Sequence, residues 1–185
     1  MTHLLKVLKV IFLVLFFLFF LYCLLSFREI PKDITYGVSF SKLHADELSL
    51  PWREVYKALI DDLEVRNFRL SAHWPMVEPK RDSYDFEAMD IQIKESQIEK
   101  AEVIMAVGSR LPGWPECHIP DWAKELAWEE QKEEVMEYVE VMIERYKNYE
   151  NIKYWQVENE PFLEVFAKDH CGEFDEKFLK EEVAL

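Results

Sequence analysis

Glu102-Val103-Ile104-Met105-Ala106-Val107 is a run of six residues, apolar at every position but the first. Its length and composition read as a β-strand. Outward in both directions the chain alternates strands with helices. After it, Glu129 to Tyr149 places Val135, Val139, Met142, Ile143 and Tyr146 on one helical face, and Ile152 to Val157 reads as a further strand. Phe174 to Val183 begins another helix. Before it, Asp85 caps a helix from about Phe86 to Lys100, whose stripe Phe86, Met89, Ile93 omits Ile91 and Ile98. Asn67 to Ser71 and Ile34 to Phe40 read as strands. Between them Ser49 and Pro51 start a helix carrying Trp52, Val55, Tyr56, Leu59, Ile60 and Leu63 at helical spacing. Four β-α units in succession imply a parallel sheet covered by helices. Only four glycines occur, so no Gly-rich phosphate loop follows the first strand, which disfavours a dinucleotide-binding fold. A complete (β/α)8 barrel takes about 250 residues. Residues 34–185 make an α/β domain of about four βα units, a partial TIM barrel.

A different kind of segment precedes this body. Residues 1–9 are a short N-terminal segment. Val10 to Phe27 holds 18 residues without a charge, enough nearly to span a bilayer core, and Leu4 to Lys9 extends it. The run ends Leu24-Leu25-Ser26-Phe27-Arg28, with no small-residue cleavage pattern. An uncleaved transmembrane helix over residues 10–27 is expected rather than a cleaved signal peptide, with residues 28–33 as linker. The short N-terminal segment favours the N-terminus inside and the body extracytoplasmic. The chain carries a formal charge of −14; residues 1–32 are net +3 and the remainder −17. So acidic a body is a poor partner for nucleic acid, whose phosphates select basic surfaces.

Chemistry in barrels of this kind gathers at the C-terminal ends of the strands. The fourth strand runs out as Gln156-Val157-Glu158-Asn159-Glu160-Pro161. Strand alternation puts Gln156, Glu158 and Glu160 on one face, expected to point inward, with Trp155 and Val157 towards the helices. Inward polar groups are costly unless paired or working. A carboxyl group at the mouth, as Glu160 is expected to be, can serve as general acid at a glycosidic oxygen. The bland reading is a charged strand exit. The third strand leads into a Pro-rich loop through Trp114, Cys117, His118 and Pro120, of the length that is usually functional. Trp114 and His118 suit a sugar subsite; packing of the loop on the barrel explains Trp114 equally well.

Asn159-Glu160-Pro161 after a fourth strand resembles the signature of the clan A glycoside hydrolases, retaining (β/α)8 glycosidases of cellulase-like and β-galactosidase-like families. A second match lies at the second strand, Phe68-Arg69-Leu70-Ser71-Ala72-His73-Trp74, followed by Glu78-Pro79 and Tyr84-Asp85-Phe86; many members have Gly where Ser83 stands. The resemblance covers roughly Thr35 to Leu163. It implies that Glu160 is the acid/base, that Asn159 binds the sugar 2-hydroxyl, and that Arg69 orients the nucleophilic carboxylate. A structural pairing of Arg69 with Glu158 is the alternative. His73, Trp74, Trp114 and His118 are expected to line the cleft. The substrate implied is an oligo- or polysaccharide, with no cofactor.

In the clan the nucleophile ends the seventh strand, so none is assigned here, and the chain alone is expected to be inactive. A membrane-tethered, non-catalytic remnant that binds carbohydrate or a partner is the rival expectation, and a small membrane protein whose acidic domain merely binds a partner is a third. Cys117 and His118 are adjacent and no C-x-x-C pair exists, which argues against a metal. Cys117 and Cys171 fall in loops after neighbouring strands and are expected to form a disulfide, closing a loop of about 50 residues worth on the order of 4 kcal/mol. Cys23 lies in the apolar run as a small hydrophobe.

Overall fold

The computed structural model describes residues 2–26, 34–114, 116–163 and 175–185. The chain divides into two units, Met1–Thr35 and Tyr36–Leu185. The first holds helix α1, Thr2–Ser26, of which Leu5–Cys23 is long and apolar enough to cross a membrane. A signal sequence would share that property.

The second unit is a four-stranded parallel sheet, β1 (Val38–Phe40), β2 (Asn67–Ser71), β3 (Glu102–Val107) and β4 (Ile152–Val157), in spatial order 1-2-3-4. Helices join consecutive strands: α2 (Lys42–Glu47) and α3 (Trp52–Asp61), then α4 (Trp74–Val77) and α5 (Glu87–Ile98), then α6 (Trp128–Tyr146), with α7 (Glu176–Val183) after β4. This is four βα units of a TIM barrel, the expected α/β class. Strands β2, β3 and β4 have the expected boundaries. The first strand is shorter, because its pairing with β2 begins only at Val38 opposite Phe68.

The register sorts side chains into two layers. Phe40, Leu70, Met105 and Trp155 lie in one row across the sheet and pack on the helices. Tyr56 and Ile60 from α3, Met89 and Ile93 from α5, and Val135, Tyr138, Val139 and Met142 from α6 complete that core. Each such side chain, fully buried, contributes roughly 1.5–3 kcal/mol relative to exposure. Ile98, off the apolar stripe, is 74% exposed. The opposite face carries the row Ser39, Arg69, Ile104 and Tyr154. Where the strands begin, it borders a hollow of about 320 Å³. That hollow lies at the far end from Glu160.

Polar contacts lock α5 to α6. Arg145 donates to both Asp90 oxygens, at 3.1 and 2.8 Å, and the Tyr146 hydroxyl adds a third bond at 2.8 Å. The Arg145 guanidinium also lies 4.1 Å from the centroid of the Phe86 ring.

Candidate active site

β4 ends at Val157, and the backbone then leaves the extended region. Glu158 has φ 56° and Glu160 φ 48°, both left-handed. Alternation therefore fails where it was expected to continue. Glu158 is not an inward strand residue: its buried carboxylate accepts hydrogen bonds from the Ser109 amide (2.8 Å), the Ser109 hydroxyl (3.1 Å) and the Arg110 amide. It clamps the end of β3 to the end of β4. Nor does it pair with Arg69. The seat exists because residue 108 is glycine, at φ +118°. A second buried carboxyl, Glu182 of α7, stands against Glu158 and is 1% exposed. Burial, and for Glu182 the neighbouring charge of Glu158, hold both above the ordinary carboxylate range.

The turn leaves Asn159 half-buried and Glu160 exposed at the C-terminal end of β4. Asn159 is held on three sides. Its amide donates to the Arg110 carbonyl (2.7 Å), its Oδ1 accepts from Gln156 Nε2 (3.2 Å), and its Nδ2 donates to Glu116 Oε1 (3.4 Å). Gln156 in turn accepts from Arg69 Nη1 at 3.5 Å, while Arg69 Nε donates to Ser39 Oγ at 2.9 Å. A continuous polar line thus runs from the inner face of β1 to the mouth. Among the described residues Arg69 forms no ion pair.

The aromatic and imidazole residues divide differently from expectation. Trp114 is 66% exposed. Trp74 does not line the cleft: it is 0% exposed, donates to Glu78 Oε2 at 2.8 Å, and packs between Tyr138 and Trp122 on the helix side. His73 and His118 are 1% and 5% exposed and present almost no surface to a ligand. Their rings meet edge to face, centroids 4.3 Å apart, and His44 of α2 stands 6.1 Å from His73. Burial first, then the charges of His118 and His44, push His73 down to about 3. Burial likewise lowers His118. The cluster is a packing unit joining three βα loops, in which His73 and His118 are held below the ordinary imidazole range. No group of three His, Cys, Asp or Glu among the described residues is arranged to hold a metal.

Two residues of this region were not foreseen. His44 lies on a short helix with no apolar period to announce it. Glu116 sits in the β3–α6 loop at φ 68°, and its neighbours Pro115 and Cys117 carry no signal of its contact with Asn159. Cys117 is disulfide-bonded, and Cys171, the expected partner, lies outside the described residues.

Residues 36–177, more than half of the chain, match the family described as "Glycosyl hydrolase family 10". The chain belongs to that family. No curated protein sequence matches this family 10 chain. Among solved structures it is similar to an endo-β-1,4-xylanase of family 10 from Gloeophyllum trabeum (16% identity, TM-score 0.57, 83% of this chain and 47% of that one). A β-glucosidase from Exiguobacterium marinum is similar too (19%, TM-score 0.57, 84% and 43%). So is a β-galactosidase from Halorubrum lacusprofundi (21%, TM-score 0.52, 69% and 21%). At these identities the likeness is one of fold. The chain spans less than half the length of each.

Proposed function

We propose that this family 10 chain contributes the acid/base half of a retaining β-glycosidase site, with Glu160 as the proton donor and acceptor. The observation that carries the reading is the exposed Glu160 at the end of β4, next to an Asn159 whose amide is fixed by Gln156 and Glu116. In the first step a carboxylate nucleophile attacks the anomeric carbon, the glycosidic C–O bond breaks, and the Glu160 carboxyl gives its proton to the departing oxygen. In the second the Glu160 carboxylate takes a proton from water, whose oxygen displaces the nucleophile and restores it. Asn159 holds the sugar 2-hydroxyl. Arg69, a half-buried cation, suits an anionic partner and serves to orient the nucleophilic carboxylate. Trp114, 66% exposed, is of the residue type that stacks on a pyranose ring. The substrate class is a β-linked oligo- or polysaccharide.

The disulfide at Cys117 supports an oxidising, extracytoplasmic setting for the body. The apolar α1 serves as an uncleaved single-pass anchor with its N-terminus inside. Retention of the intact chain in a carbonate-washed membrane pellet is expected; a soluble product starting near residue 28 would contradict it.

The catalytic reading is tested on membranes carrying the complete gene product, with 4-nitrophenyl β-xyloside, β-glucoside, β-galactoside and β-mannoside. Glu160→Gln is expected to lower kcat by about 100-fold or more on at least one of them. The 185-residue chain alone is expected to turn over none. Binding without turnover by the complete product would replace this reading with a membrane-tethered carbohydrate-binding protein.

A further inference from the structure

The polar line through Asn159 has a donor at one end and an acceptor at the other. Arg69 carries only N–H donors, so Gln156 must face it with Oε1. Gln156 Nε2 then faces Asn159, which must offer Oδ1. Asn159 Nδ2 is left facing Glu116, and an ionised carboxylate only accepts. Two side-chain amides, each free in principle to turn over, are thereby set in one orientation by the charged groups at the ends. Asn159 keeps one N–H for Glu116 and a second N–H for a ligand oxygen.

Glu116 is itself firmly placed. Its backbone N–H donates to the Gly113 carbonyl, and its carbonyl accepts from Leu111 N at 2.9 Å. The next residue, Cys117, bridges to Arg110 across the loop and is disulfide-bonded. The groups acting on the Glu116 carboxyl are the Glu160 charge, the Arg110 guanidinium and the Asn159 amide.

We propose that Glu116 is a positioning residue of the site, fixing the Asn159 amide so that it presents a donor to the sugar and setting a second negative charge close to Glu160. The proposal rests on the reading of Glu160 as acid/base. A glutamine at 116 could either donate or accept, and the orientation of Asn159 would then be held from the Arg69 and Gln156 end alone. Burial, and after it the charge of Glu160, raises the Glu116 carboxyl above its ordinary range, with Arg110 and Asn159 opposing. Protonation of Glu116 therefore loosens the Asn159 contact as the pH falls.

The test follows the Asn159 side-chain amide by NMR in the full 185-residue chain in detergent micelles, across a pH titration. In the parent chain the Asn159 NH2 signals are expected to move with a single carboxyl titration. Glu116→Gln abolishes that movement, Glu116→Asp retains it, and Glu160→Gln shifts its midpoint downward. An unchanged response in Glu116→Gln, or an unmoved midpoint in Glu160→Gln, overturns the proposal. Should Glu116→Gln fail to fold, Glu116→Asp decides: a merely structural role predicts loss of the titration there too. The readout needs no turnover, so failure of the glycosidase assay and failure of this proposal are separate results.

Discussion

A β-carbon added to Gly108 would stand 2.6 Å from the carboxyl carbon of Glu158. The glycine and the glutamate are therefore one device, in which the missing side chain of one makes room for the clamp of the other. Gly108→Ala introduces that clash at φ +118° and releases the carboxylate from the Ser109 and Arg110 amides. A loss of about 2 kcal/mol or more is expected in denaturant unfolding, with faster proteolysis of the loop after β3. Unfolding at the parent midpoint would show that the clamp holds nothing.

Glu158 and Glu182 form a buried acidic pair whose protons are held more tightly in the folded chain than in the unfolded one. The folded state binds the extra protons, so this pair's contribution is fully present below the ordinary carboxylate pKa of about 4.3 and is lost as the pH rises through neutrality. Glu182→Gln removes one ionisable member and supplies a donor. It is expected to raise the melting temperature at pH 8 and to leave it nearly unchanged at pH 4. A variant destabilised at pH 8 would mean that the Glu182 carboxyl is needed for its charge.

Asp90 behaves in the opposite sense. Burial pushes its carboxyl up, but hydrogen bonds from Arg145, Tyr146 and Lys94 outweigh this and hold it down at about 2. Its contribution is present above the ordinary range and lost as the pH falls from about 4 towards 2. After allowance for solvent screening, Asp90→Asn is expected to cost about 1 kcal/mol at pH 7 and little at pH 2. Equal losses at both would assign the effect to packing of Arg145 on Phe86.

For His73 the folded value is depressed to about 3. Its stabilising contribution is present above about 6.5 and is lost as the pH falls towards 3. Imidazole nitrogen shifts should show His73 neutral down to about pH 4. A midpoint near that of a free histidine would mean the His44, His73 and His118 cluster is open to solvent.

The strands were the legible part of this chain. β2, β3 and β4 begin and end where composition placed them, because each is a short apolar or alternating run closed by a turn. Ile34 to Tyr36 has the same composition but joins no ladder among the described residues, and pairing is not written in composition. The site was half legible. Asn159 and Glu160 stand at the mouth because their position follows from the strand before them. Glu158 was misplaced because its left-handed backbone carries no glycine to announce it. Trp74 has the residue type of a sugar platform; which side of the sheet it turns to depends on Tyr138 and Trp122, distant in sequence. Glu116 was invisible for a like reason, since its partner lies more than forty residues away.

His44 and Gly113 carry a consequence for the history of the protein. A β-carbon at position 113 would fall 1.8 Å from the His44 ring, and the backbone there is at φ +120°. The two positions are therefore unequal: the His44 ring can shift or shrink, but at φ +120° a side chain at 113 stays strained even with the ring gone. Across descendants of this chain position 113 should stay glycine even where position 44 changes.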